Sequence, residues 1–299
     1  DKELKKVPLQ TQLALILEDF HLITPKLLVK EGESIDRGQP IFYSKSNDKI
    51  KFVSPSSGTL EKVVRGDRRK ILEIIIKTDK KDSVFKHQIA NLDKLDKPSI
   101  IDLLLKSGCW PFIKQRPFDI IANPDENPKS IFISCFDSAP LGVDFEFILS
   151  DQMTEFKNGL KILEKISPKN LNIGLNKDQS FLSNELRDFN KNFFTGPHPS
   201  GNVGVQIHHI DPINSGESVW TLRPEDVCII GRFFLTGEYN AIRTVAVSGP
   251  PIENPKYFRT IIGTKIDSIL KNIKFNKNQD FRIVNGDVLS GKSVNMDKF

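Results

Sequence analysis

Apolar and polar positions alternate in short runs over the first eighty residues. They predict strands at 13–17, 26–29, 40–43, 51–53, 58–64 and 72–77, separated by Gly, Pro, Ser and Asp. A Lys- and Asp-rich stretch follows over 78–97, then a helical pattern over 98–107 that Gly108 stops. Prolines make 109–118 extended and 123–128 a loop, so 81–128 reads as a connector. From Lys129 the rhythm becomes strand–helix alternation. Strands are expected at 131–136, 171–175 and 226–230, the last ending in Gly231. Helices are expected at 151–166, where Phe156, Leu160, Leu163 and Ile166 keep helical spacing, and at 179–190. Such alternation over 129–240 predicts an α/β unit with a mostly parallel sheet. The last sixty residues, 241–299, read as a small β-grasp-like α+β module. It has strands at 243–247 and 281–284, a Gly249-Pro250-Pro251 turn, and helical pieces at 257–261 and 266–270 around Gly263. No internal repeat or low-complexity tract interrupts this order. The expectation is a multidomain chain, α/β plus α+β, divided into 1–80, the connector 81–128, 129–240 and 241–299.

Composition narrows the class. The chain has 299 residues, 38% hydrophobic and 27% charged, a globular balance. The most apolar runs, 13–17 and 71–76, are strand-sized, and nothing approaches the ~18–20 apolar residues that span a bilayer. No membrane span is expected in this chain, which leaves room for a peripheral role. The net charge of +5 is spread among acidic residues, and Arg68-Arg69-Lys70 is the longest basic run. Nucleic-acid binders usually concentrate charge on one face, so that class is disfavoured. Three cysteines lie far apart with no CxxC pair, which argues against disulfide, zinc or iron–sulfur frameworks and for a reducing compartment. The chain opens on Asp1-Lys2-Glu3 without a signal-peptide pattern. It reads as a cytoplasmic protein, or a piece of one.

Motifs give mixed signals. Gly286 to Ser293 matches the P-loop formula letter for letter, but too little chain follows Lys292-Ser293 for the helix and metal-holding carboxylate such a site needs. The expectation there is a turn. The α/β unit reads as Rossmann-like, yet Asp137-Ser138-Ala139-Pro140 follows its first strand where G-x-G-x-x-G would bind a dinucleotide. Three of the five histidines fall within 198–209. If 208–209 is a strand, His208 and His209 point to opposite faces and cannot share an ion. His198, His208, His209 and Asp211 are therefore expected to form a ligand-lining or structural loop rather than a metal site. No spacing ties a carboxylate to a nucleophile, so no catalytic, cofactor or metal residue is assigned in this chain.

Two segments in the first unit carry more. Glu31-Gly32 with Gly38-Gln39-Pro40, followed by Ser54-Pro55-Ser56-Ser57-Gly58, resembles the paired half-motifs of biotinyl/lipoyl-like barrel-sandwich domains. Carrier relatives present one lysine on the hairpin between them. Lys45, Lys49 and Lys51 lie there without the usual flanking residues. A lysine-modified carrier domain fused to an enzyme domain is thus one alternative function, and a P-loop nucleotide binder a weaker one.

Further segments extend the resemblance along the chain. They include Leu17-Glu18-Asp19-Phe20, Ser107-Gly108-Cys109-Trp110-Pro111, Arg116-Pro117-Phe118, Phe156-Lys157-Asn158-Gly159-Leu160, Gly196-Pro197-His198-Pro199, His208-His209-Ile210-Asp211-Pro212 and Thr236-Gly237-Glu238. In this order they resemble the A subunits of the Na⁺-translocating NADH:quinone oxidoreductases (Na⁺-NQR). The resemblance implies a barrel-sandwich domain, a Rossmann-like domain without its cofactor glycines, and a soluble-ligand-binding β-grasp domain cut before the family's C-terminal portion. It implies an accessory, cofactor-free subunit peripheral to the cytoplasmic face of the bacterial inner membrane. The complex would have six subunits, oxidise NADH, reduce ubiquinone and pump Na⁺, with flavins and an iron centre in the partner subunits. Quinone contacts would then be sought at Glu18, Asp19 and Phe20, a carboxylate pair beside an aromatic at a pocket mouth. The alternative there is an ordinary acidic surface turn.

Overall fold

The computed structural model describes residues 2–271, 273–276 and 281–299. The chain begins with strands β1 (Leu4–Lys6), β2 (Gln12–Ile16), β3 (Pro25–Leu27), β4 (Ser34–Ile35), β5 (Pro40–Ser44), β6 (Asn47–Val53), β7 (Gly58–Arg65) and β8 (Ile71–Thr78). Seven of these build two sheets, β2-β8-β7-β4 and β3-β5-β6, close to the strands read from the sequence. Their inward-facing residues include Ile41, Phe42, Phe52, Leu60, Ile74 and Ile76, each at most 3% exposed. The two half-motifs are stitched together: Gly38 N–H donates to Ser54 O at 2.9 Å, and Ser54 N–H to Gln39 O at 2.9 Å. Ser57 Oγ donates to Asp79 at 2.6 Å, which keeps that buried hydroxyl satisfied. Gly58 has φ +152, and a Cβ there would lie 2.1 Å from Lys77 O, so the close start of β7 against β8 admits only glycine.

The stretch expected as connector is instead part of the core. Helix α1 (Lys97–Lys106), N-capped by Asp96 on Ser99 N–H, packs against β6 and buries Ile100, Leu104 and Leu105. A single 3₁₀ turn at Trp110–Phe112 follows, with Trp110 fully buried. Strands β9 (Lys114–Arg116) and β10 (Ile120–Ile121) then form the antiparallel edge of a six-stranded sheet. Prolines and short length hid these strands: three- and two-residue strands carry no readable alternation.

The α/β succession continues through β11 (Ile131–Ser134), α2 (Phe145–Leu149), α3 (Met153–Ile166), β12 (Leu171–Asn176), α4 (Ser180–Glu185), β13 (Lys191–Phe194), α5 (Val203–Ile210), β14 (Val219–Leu222) and α6 (Pro224–Thr236). The sheet order is β10-β9-β14-β11-β12-β13, with β14, β11, β12 and β13 mutually parallel. Ile131 and Ile133 face the large core that α3 and α6 cover, while Phe132 and Val219 meet Ile207 of α5 on the other face.

Two readings are corrected here. Residues 226–230 are helix within α6, not strand. The run Val227-Cys228-Ile229-Ile230 is apolar all round because α6 is buried all round, and the helix signals lie just before it in Pro224, Glu225 and Asp226. The parallel strand of that region is β14. The helix expected over 179–190 stops after Glu185, and β13 follows within ten residues.

The last module holds β15 (Ile242–Val247), β16 (Lys256–Ile261), α7 (Ile266–Leu270), β17 (Ile283–Asn285) and β18 (Lys292–Val294). Residues 257–261 were expected to be helical. They are strand, because Phe258 and Thr260 alternate inward with Tyr257 and Arg259. β1 adds to this sheet in parallel, pairing Leu4 with Tyr257, so the chain's first strand packs with its last module rather than with 12–78.

Candidate functional site

Leu17–Asp19 forms one 3₁₀ turn between β2 and β3. Leu17 is buried, and Glu18 and Asp19 face outward. Phe20, half-buried, turns inward: its ring meets Phe52 edge-on at 4.7 Å and Phe42 at 6.0 Å, and those two stack at 4.4 Å. Phe20 thus anchors the turn in the barrel core. Glu18 is met at 3.2 Å by Lys292 Nζ of β18, which the sequence placed in a nucleotide-binding pattern. Lys292 lies on a strand that pairs back onto β17, with Asn285 opposite it, and no helix follows, so that pattern is a β-hairpin. Burial raises the Asp19 carboxyl above the usual carboxylate range and Glu18 adds to this, while Lys292 and Lys114 oppose it.

Lys114, from β9, completes the cluster. Burial lowers its ammonium below the usual lysine range despite the nearby carboxylates of Asp226, Asp119 and Asp19. Among the described residues, no hydrogen bond or ion pair engages its Nζ. The junction thus joins a carboxyl that holds its proton more firmly than usual to an ammonium that releases one more readily. Such a pair can hydrogen-bond or exchange a proton with the oxygens of a polar ligand head. Leu22 (73% exposed) follows the turn, and Phe118 (74% exposed) tips the β9–β10 hairpin.

The histidine cluster is dispersed. His198 sits in the loop before α5, with Nδ1 3.2 Å from Ser138 Oγ. That hydroxyl accepts from Gly201 N–H at 2.8 Å, and Ser134 Oγ donates to Gly201 O at 2.8 Å. This loop is therefore laced to the carboxyl end of β11. His208 and His209 lie on α5, not on a strand, and both are exposed in its last turn. Neighbouring helical residues diverge by about 100°, and the two rings meet edge-to-face at 5.4 Å. Asp211 accepts from Ser130 Oγ at 2.6 Å and pairs with Lys129 at 2.8 Å, a structural clasp at the amino end of β11. An eight-residue helix, about 12 Å long, separates His198 from this clasp. Among the described residues, no three His, Cys, Asp or Glu side chains gather to hold a metal ion.

One charged cluster escaped the sequence reading. Arg243 of β15 donates to Asp226 at the start of α6, and its guanidinium lies 5.4 Å from the centre of the Phe112 ring. Glu225 accepts from Thr244 N–H at 2.7 Å, and burial raises its carboxyl. The sequence reading put these acids at the start of a strand, and nothing in it paired them with Arg243. A groove of about 380 Å³ lies elsewhere, between His87, Ile89, Asn158, Phe234 and Gly237, and holds none of the expected site residues.

Comparison with known proteins gives a consistent answer along the chain. Residues 1–79 match the NqrA N-terminal barrel-sandwich hybrid domain, 75–239 the NqrA second alpha/beta domain, and 244–295 the NQRA C-terminal domain. Among curated proteins, the A subunit of the Na(+)-translocating NADH-quinone reductase of Marinomonas sp. (strain MWYL1) is 32% identical over 284 residues, 94% of this chain and 63% of the relative. Its counterpart in Haemophilus influenzae (strain PittGG) is 32% identical over 285 residues, with the same two coverages. That of Neisseria gonorrhoeae (strain NCCP11945) is 31% identical over 286 residues, 95% of this chain and 64% of the relative. The chain thus spans somewhat under two thirds of the curated relatives it matches. Among solved structures, the NAD+-reducing [NiFe]-hydrogenase in the H2-reduced state overlaps at a TM-score of 0.44 and 10% identity, over 62% of this chain and 42% of that one. That overlap is too loose to carry an argument.

Proposed function

The chain belongs to the NqrA family, the A subunits of the Na⁺-translocating NADH-quinone reductases, and on that premise we propose that it is an accessory component of a complex that oxidises NADH, reduces ubiquinone and pumps Na⁺. In this reading it stands peripherally on the cytoplasmic face of the bacterial inner membrane, beside the other members of a six-subunit complex. The partners carry the flavins and an iron centre, and this chain carries no redox cofactor. Its α/β unit is Rossmann-like without the dinucleotide glycines, and its last module is a β-grasp domain. No helix among the described residues is long and apolar enough to cross a membrane.

The observation that carries the quinone-facing part is the junction of Glu18, Asp19, Lys114 and Lys292, contributed by three separate parts of the chain. Quinone reduction adds two protons at carbonyl oxygens, and the exposed Asp19 carboxyl and half-buried Lys114 ammonium, each shifted by partial desolvation toward its neutral form, are the groups here that can hydrogen-bond such oxygens. Affinity capture of the full-length tagged protein from a mild-detergent membrane extract tests the subunit reading. Recovery of flavin-bearing membrane subunits with NADH–quinone activity supports it, and reproducible recovery of the protein alone ends it. Asp19→Asn and Lys114→Met in the assembled complex test the site. Unchanged quinone KM and inhibitor sensitivity in both variants would remove the site and leave the subunit reading standing.

A further inference from the structure

The most concentrated charge on the molecule lies far from that junction in sequence, at the tip of the β7–β8 hairpin. Lys62, Arg65, Arg68, Arg69 and Lys70 stand there with Asp67 as the one acid among residues 62–70. All five cations are exposed. None has an ion-pair partner among the described residues, although ion pairs are common elsewhere on this surface, as between Lys106 and Asp102 or Lys157 and Glu185. Arg65 instead donates to Arg69 O at 3.1 Å. The tip is closed by Gly66 N–H on Lys70 O at 2.8 Å and by Lys70 N–H on Asp67 O at 3.1 Å, so it is a defined turn.

Its backbone carries a second signal. Arg68 and Arg69 both adopt left-handed conformations, φ +52 and +61, where glycine or asparagine would fold more readily. Consecutive long cationic side chains at such positions cost stability, and local packing does not explain them because neither side chain is buried. Beside them Leu72 is 40% exposed and reaches back over Gly66, whose built Cβ would lie 3.0 Å from a Leu72 methyl. An apolar group thus stands among unpaired cations.

We propose that this hairpin tip is a contact for an anionic phospholipid surface, with the guanidinium and ammonium groups on headgroup phosphates and Leu72 at the acyl boundary. The proposal rests on the reading of the chain as a peripheral subunit of a membrane complex. A lipid surface suits the tip better than nucleic acid, because residues 62–72 contain no aromatic side chain on which a base could stack. Each cation near an anionic leaflet strengthens binding about fivefold, and the attraction decays within about 10 Å at 0.1 M salt.

The test is flotation of the 299-residue chain with phosphatidylcholine vesicles, with and without a third of phosphatidylglycerol, at low and high salt. The expected result is binding to the anionic vesicles alone, lost at high salt. Arg68→Gly/Arg69→Gly relieves the backbone as it removes two charges, so the chain should fold at least as well while vesicle affinity falls about thirtyfold. Arg68→Lys/Arg69→Lys should bind like the parent. Equal binding to both vesicle types, or unchanged affinity in the glycine variant, overturns the proposal. Tighter binding of a single-stranded RNA or a polyglutamate peptide than of anionic vesicles at the same salt overturns it in favour of that partner. Capture of membrane subunits is scored separately: a parent chain that fails to bind anionic vesicles while capture succeeds sinks the lipid contact alone, and a parent chain that binds them while capture fails sinks the subunit reading alone.

Discussion

Arg243→Met should loosen the joint between α6 and the last module. The Arg243 side chain is 20% exposed and its partner Asp226 7%, so the pair is largely out of water. Removing the cation leaves Asp226 and Glu225 as neighbouring buried carboxyls without their counter-charge. Breaking a buried pair in this way costs ~3–5 kcal/mol. The partial exposure of Arg243 argues for the lower end, about 3 kcal/mol, with lost stacking on Phe112 inside that figure. With a urea m-value of ~3 kcal/mol/M, the midpoint should fall by about 1 M. Tryptophan fluorescence is a suitable probe, because Trp110 and Trp220 are both fully buried and lie 5.4 Å apart in the same core. The second arm is Asp226→Asn, alone and combined with Arg243→Met. Asparagine keeps an oxygen for the Arg223 N–H that Asp226 now accepts. The double variant carries no orphaned Asp226 charge, so its cost should fall below the sum of the singles by about 2 kcal/mol. A midpoint shift under about 0.3 M for Arg243→Met, or strict additivity of the two changes, would refute the claim that this pair joins the modules.

Gly231→Ala should destabilise despite a helix-propensity gain of ~1 kcal/mol, because the new Cβ would lie 1.8 Å from Glu155 O across the α3–α6 crossing; forcing the helices apart should leave a net loss of ~2 kcal/mol, and a neutral urea midpoint would contradict that contact. Glu225, whose folded-state carboxyl is raised from 4.5 chiefly by burial, binds its proton more tightly folded than unfolded, so its contribution to stability declines as pH rises from 4.5 through the folded value. Relative to Glu225→Gln, the parent should therefore lose stability over that window, and parallel pH profiles would disprove it. All three cysteines are buried, and burial pushes the Cys109 thiol up to about 12 and those of Cys135 and Cys228 upward as well. A thiol reagent at mildly alkaline pH should label none of them in the native protein and all three in urea, and native labelling would contradict the packing.

How much of this was legible beforehand follows from the range of the forces involved. The strands of the barrel were readable because each buries one face, and period-two alternation records that directly. Helix α3 was readable for the same reason at helical period. Helix α6 was misread because burial on every side erases periodicity, and β9 and β10 were missed because they are too short to show any. Within the site, the acidic pair Glu18-Asp19 was conspicuous, yet Phe20 proved to be an anchor in the barrel core, and the histidines were split between two ends of the sheet.

The sequence by itself determined the local elements whose burial is one-sided, the glycine at the β7 start, the lack of a dinucleotide fingerprint and, through motif order, the family. Only the tertiary structure brought Lys114 and Lys292 to Glu18 and Asp19, set Arg243 on Asp226, and carried β1 across to β16. Glu18 and its ion-pair partner Lys292 lie 274 residues apart, Asp19 and the Lys114 charge that acts on it 95, and Arg243 and Asp226 17. Chain folding, rather than any local pattern, makes them neighbours. An unpaired charge reveals its meaning only when its surroundings, and the partners it lacks, are known.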